Sequence, residues 1–228
     1  MTGMATWPAE RISVLRDALG VGVAVGAWGF SFGALSVTAG LSVPQTCALS
    51  VLMFSGASQF AFVGVVASGG SPMAGVATAT FLGARNAFYG LRLSTLVRVR
   101  GARRAVAAQL VIDESAGMAI SRDSPRAARL AFWATGLSVF VCWNLATLVG
   151  AFGVGLLGDP RALGLDVVGP AAFVALLAPR MTSRRAWVVA VAAAAIALLA
   201  VPFVATGVPM LLAAFAAAAG PSRPGEER

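Results

Sequence analysis

In this chain of 228 residues, hydrophobic types make up 58% and charged types 11%, against the roughly 25% charge of a soluble domain. That composition, with a mean hydropathy of +0.84, excludes a soluble fold and leaves no room for a separate soluble domain. The net charge is +8, but its arginines sit in short gaps between apolar runs, so membrane topology explains them better than nucleic-acid binding does.

The predicted architecture is an all-α polytopic membrane protein filling residues 1–228 as one transmembrane transporter domain. It has about seven transmembrane helices plus a short or re-entrant helix. Residues 1–16 are polar and lack the apolar core of a signal peptide. Arg11–Asp17 reads as an amphipathic lead-in to span 1, about 18–39. Gly22, Gly26, Gly29 and Gly33 recur at intervals of three or four, which makes a smooth face for close helix packing. The alternative is that Ser31 and Gly33 open backbone to a cavity.

Span 2 runs from about Pro44 to Ala67, long enough to cross a bilayer. Ser55-Gly56-Ala57-Ser58-Gln59 interrupts it halfway. Glycine weakens a helix and serine competes for its backbone, while the Gln59 amide demands a partner at that depth. Polar groups beside a breakable helix suit a solute site; small residues gluing helices together is the plainer reading.

Span 3, about 73–97, contains Arg85 well inside it, next to Asn86 and Tyr89. A buried counter-ion is expected for Arg85, with snorkelling to the interface as the alternative. The segment 105–120 is too short and too charged to cross comfortably, because Asp113-Glu114 sits in its middle. It reads as a short or re-entrant helix, or as a capped end with both acids solvated. Span 4, about 130–157, carries Asn144. Span 5, about 163–178, holds Asp166 and is interrupted by Gly169-Pro170. Span 6 is the alanine-rich run after Trp187, and span 7 occupies 202–220. Cys47 and Cys142 fall inside spans and read as buried free thiols. Without histidine or CxxC, a His/Cys metal site is not expected, nor is any cofactor.

Arginine-rich loops lie near 98–104, 122–129 and 180–185. All three share the cytoplasmic side only if 105–120 returns to the side it left. Counting back through three spans then puts the N-terminus outside. Spans 1–3 (16–100) and 4–6 (130–201) would form an inverted repeat. In the competing topology 105–120 crosses and the N-terminus lies inside.

Several motifs occur in a telling order: Gly29-Phe-Ser-Phe-Gly33, Ala39-Gly-Leu-Ser42, Phe54-Ser-Gly-Ala-Ser-Gln-Phe60, Ala84-Arg85, Tyr89-Gly90 and Asp113-Glu114. With them the chain resembles the AzlC family, large subunits of branched-chain amino acid exporters, from about residue 16 to 215. The resemblance implies an inner-membrane permease for apolar amino acids and a small AzlD-type membrane subunit as partner. The chain departs from the family pattern at Gly83 and Asn86, where such proteins often read Asn and His. A histidine relay is therefore excluded, and proton coupling would rest on Asp113, Glu114 or Asp166.

The expected solute-binding residues are Ser55, Gly56, Ser58, Gln59, Arg85, Asn86 and Asn144, with Asp113 or Glu114 carrying a coupling proton. Arg85 or a half-helix N-terminus near Ser55–Ser58 would receive the carboxylate. Phe60, Phe62, Phe88 and Val174 would line an apolar pocket. Phe54-Ser-Gly-Ala-Ser superficially resembles an intramembrane serine nucleophile, but with no histidine base an enzyme is not expected. A non-transporting scaffold or sensor, and a permease for a different small organic solute, are the competing functions.

Overall fold

The computed structural model describes residues 7–156, 178, 181–204, 208–209 and 212–213. Among these residues every regular element is a helix. The helices are α1 (Trp7–Gly26), α2 (Trp28–Thr38), α3 (Val43–Leu52), α4 (Gly56–Ala67), α5 (Pro72–Gly83), α6 (Arg85–Val97), α7 (Ala102–Gln109), α8 (Asp113–Ile120), α9 (Pro125–Leu156) and α10 (Arg184–Ala200).

The stretch Trp7–Thr38 is long and apolar enough to cross a membrane, and so is Pro125–Val154. Ala27 between α1 and α2 keeps helical dihedrals, so the two form one nearly continuous rod, and the expected amphipathic lead-in belongs to it. This rod lies along α9. A Cβ on Gly22 would strike Ser138, one on Gly26 Cys142, one on Gly29 the Trp143 carbonyl, and one on Gly33 the Thr147 carbonyl. From the other side, a Cβ on Gly150 would strike the Phe30 carbonyl. The glycine spacing therefore serves packing, and Gly33 is closed off from any cavity.

Both sets of numbers in that seam rise together, so α1–α2 and α9 run parallel. The expected inverted repeat requires spans 1 and 4 to run opposite ways, and the seam corrects it. The N-terminal end of the seam is rich in arginine. There Arg126 lies 4.0 Å over the Trp7 ring, Arg122 pairs with Asp17 at 3.0 Å, and Val14 packs on Ala127 and Ala131. The start of α1 thus shares an end with the loops 98–104 and 122–129; Arg129 Nε donates to Leu96 O at the close of α6 (2.9 Å).

With α9 as a ruler, the remaining path is clear. α3 enters from the far end, where Ser42 caps it. Ser50 Oγ donates to Thr147 Oγ1 at 3.2 Å, and Phe54 reaches Phe140 with ring centroids 5.0 Å apart. The chain breaks at Met53–Ser55 and α4 turns back toward the far end. Gln59 Nε2 donates to Leu49 O and Ser50 O, both at 3.3 Å, which a straight continuation could not allow. α4 then pairs antiparallel with α5: Gly83 faces Ser58 and Gly75 faces Phe62. Ala84 keeps helical dihedrals, so α5–α6 is a second rod, running from the far end to the arginine end.

α7 and α8 have eight residues each and reach only about 12 Å apiece. α7 descends from the arginine end to Leu110, which touches Gly136. α8 climbs back, so Met118 joins the Val14 cluster. The re-entrant reading of 105–120 thus describes the path seen here. Span 2, in contrast, is a V and not a crossing. This removes one crossing from the backward count, which is why the N-terminus falls at the arginine end.

A different repeat emerges. Val43–Val97 and Ala102–Leu156 have equal length. Each is a V-shaped helical hairpin followed by a long rod, and the two enter from opposite ends. Ser71-Pro72 and Ser124-Pro125 start the rods alike: Ser71 Oγ accepts from Ala74 N (3.2 Å) and Ser124 Oγ from Ala127 N (3.1 Å). Within the expected second repeat, residues 157–177, with Asp159, Asp166, Gly169-Pro170 and Val174, lie outside the described residues.

The seam gives a direct test. Gly33→Ala should lower stability by about 1–3 kcal/mol through overpacking, read as a fall in melting temperature of the detergent-solubilised protein. Gly20→Ala, which meets nothing within 4 Å, should cause no fall.

Candidate functional site

The tips of the two hairpins, Met53–Ser55 and Leu110–Ile112, lie at mid-bundle, beside the Ala84 junction of the second rod. Between them opens a cleft of about 590 Å3, within the size range of small-solute pockets. Met53, Phe54, Val76 and Val111 give it apolar walls, and Ser55, Ser58, Asn86 and Gln109 supply polar groups.

Each tip is organised by a serine on the third residue of the returning helix. At the first, Ser55 Oγ donates to Ser58 Oγ at 3.2 Å. Ser55 itself makes no side-chain cap on α4, so the first amide groups of that helix are not met by it. At the second, Ser115 Oγ donates to Leu110 O at 2.6 Å and accepts from Ile112 N at 3.2 Å. Helix α8 opens with Asp113 and Glu114 in its first turn, where the helix dipole favours negative charge.

Arg85 and Asp113 meet face on. Arg85 Nε lies 3.1 Å from Asp113 Oδ1, and Nη2 is 3.0 Å from Oδ2. The side chains are 34% and 26% exposed. The pair ties the start of α6 to the start of α8, so the charge inside span 3 has a carboxylate partner. Arg85 is thereby engaged by Asp113 and is not among the residues lining the cleft.

The other expected residues divide. Ser55, Ser58 and Asn86 line the cleft, and Asn86 Oδ1 is buried without a hydrogen-bond partner. Gly56 stands at the start of α4 against the Trp143 ring. The break precedes it, at Met53–Ser55, one step earlier than the glycine suggests. Gln59 is fully buried and does not line the cleft; its amide closes the end of α3. Asn144 stays on its own helix, donating to Phe140 O at 2.8 Å, and also lies off the cleft.

The expected apolar pocket does not assemble. Phe60 is fully buried in a cluster with Phe32 and Trp143, with centroids 5.8 and 6.2 Å away. Phe62 packs on Gly75, and Phe88 is 73% exposed. Cys47 and Cys142 are free thiols, half-buried rather than fully enclosed. Two residues of consequence escape a reading of the sequence: Ser115 and Gln109. A glutamine in the short apolar run before Leu110 was the available signal for the second.

The family model described as AzlC protein matches residues 20–157, more than half of the chain and the whole of the paired-hairpin region. The chain belongs to the AzlC family. No curated protein and no solved structure matches it. With its apolar rods, AzlC membership makes this a helical membrane protein with a transport-related role. The match stops at residue 157, short of the residue 215 to which the resemblance was expected to reach.

The Arg85–Asp113 contact predicts coupling. In a double-mutant cycle with Arg85→Met and Asp113→Asn, each single change should destabilise the protein more than the pair together. The expected interaction energy is about 1–2 kcal/mol, reduced from that of a buried pair by its partial exposure. Thermal unfolding in detergent measures it.

Proposed function

We propose that the chain is the transporting subunit of a secondary exporter for branched-chain or other apolar amino acids. It would act in the inner membrane as a multi-pass protein with a small AzlD-type subunit. The observation carrying this reading is the mid-bundle cleft between two opposed hairpin tips. Transporters place solute sites where helices break, because a break frees backbone groups for the solute. The cleft is mostly apolar with a few polar groups, which suits a short aliphatic side chain bearing one charged or polar end. Family membership supports the same direction.

In this reading Ser55, Ser58, Asn86 and the start of α4 at Gly56 form the polar wall. Arg85 is held by Asp113 and positions that wall, rather than binding the solute carboxylate. Asp113 and Glu114, at the second tip, are the acids through which a coupling proton would pass. Transport, not covalent chemistry, is the proposed task, because Ser55 and Ser58 bond to each other and not to a base.

Export from cells fed a branched-chain dipeptide tests this, with and without the co-expressed small subunit. Internal valine, leucine, isoleucine and methionine should clear faster only when both are present. Asn86→Leu should slow clearance about tenfold or more, since it removes polar contact and fills the cleft. Unchanged clearance with both proteins verified in the membrane would remove the substrate assignment. Asp113→Asn with Glu114→Gln should abolish export against a gradient; full export with unaltered pH dependence would exclude these acids from coupling.

A further inference from the structure

A helix that stops inside a bundle leaves its last carbonyls without intrahelical partners. At the end of α3 these belong to Leu49, Ser50, Val51 and Leu52. Leu49 O accepts from Met53 N at 2.9 Å, and Gln59 covers Leu49 O and Ser50 O. Val51 O and Leu52 O are covered from the opposite hairpin: Gln109 Nε2 donates to them at 2.7 and 3.4 Å.

The two glutamines are not equivalent. Gln59 is fully buried within its own hairpin and cannot leave without opening the core. Gln109 is the last residue of α7, only half-buried, and lines the cleft. It can swing aside at small cost to packing. Its departure would leave two carbonyls at the cleft's edge, on the negative end of a half-helix. A primary ammonium fits such a place better than an amide does. It brings three donors and a full charge, and charge-assisted bonds are about twice as strong as neutral ones.

We propose that the Val51 and Leu52 carbonyls are the ammonium subsite of the cleft, and that Gln109 is the plug a solute ammonium must displace. The proposal rests on the amino-acid reading above and deepens it. Gln109 becomes a specificity-determining residue, because a solute without an ammonium gains nothing by displacing it. The start of α4, beyond Met53–Ser55, remains for the other end of the solute.

The test uses the full chain purified in detergent, with melting temperature titrated against three probes, since a ligand that binds the folded state raises it. Leucine carries both charged groups, 3-methylbutylamine only the ammonium, and 4-methylpentanoate only the carboxylate. In Gln109→Met, which removes the donor at similar volume, leucine and the amine should bind about three- to tenfold tighter, the worth of one hydrogen bond no longer displaced. The acid should be unchanged. Gln109→Lys tethers an ammonium to the same carbonyls and should weaken leucine and the amine about tenfold or more, again sparing the acid.

A merely structural role would move all three probes together, and that result, or no change in either variant, overturns the subsite. The two readings separate cleanly. If leucine binds the unaltered protein but the variants do not discriminate amine from acid, the subsite falls and the amino-acid reading stands. If leucine never binds while the amine responds as expected, the subsite stands and the amino-acid reading falls.

Discussion

Backbone groups stranded at helix breaks govern this structure. Away from water, an unpaired carbonyl or amide costs several kcal/mol, roughly. Two helical hairpins nevertheless stop and reverse at mid-bundle, and the side chains there answer that cost one group at a time. Gln59 and Gln109 meet the carbonyls ending α3. Ser115 meets the backbone on both sides of the second break. Asp113 begins α8 and draws Arg85 to it, which fixes the second rod beside both tips. The cleft exists because these groups hold the tips apart and in register.

The symmetry of the arrangement follows from topology. Each hairpin enters from the end that its following rod leaves, so Val43–Val97 and Ala102–Leu156 are inverted copies in form. Their tips differ in chemistry. The first is hydroxyl-rich and neutral, with Ser55 and Ser58; the second is acidic, with Asp113 and Glu114. A site assembled from two such tips presents hydrogen-bonding groups from one side and charge from the other.

Much of this was legible in the sequence for definite reasons. An arginine inside an apolar run must find a carboxylate, and Arg85 finds Asp113. Residues 105–120 are too few and too charged to cross, and they return. Small polar residues near 55 do mark a broken helix. What stayed hidden was direction. Residues 44–67 are long enough to span, and composition is the same whether the chain continues or reverses after a break. The contacts from Gln59 back to Leu49 and Ser50 reveal the reversal. In the same way a buried amide announces that it needs a partner without naming it: Gln59 reaches back to the end of α3, and Asn144 bonds within α9. The overlooked Gln109 sits at the cleft.

The glycine seam between the first rod and α9 bears on how such a molecule can move. At Gly29, Gly33 and Gly150 the contact is with backbone carbonyls, which have no rotamer to change, and a slide by one residue would push Cβ atoms into them. The seam thus has a single register and no soft intermediate. Any rearrangement has to be carried by the elements off that seam, the two hairpins and α5–α6. In the proposed export cycle the paired rods would act as a stator, with the hairpin tips trading places around the solute.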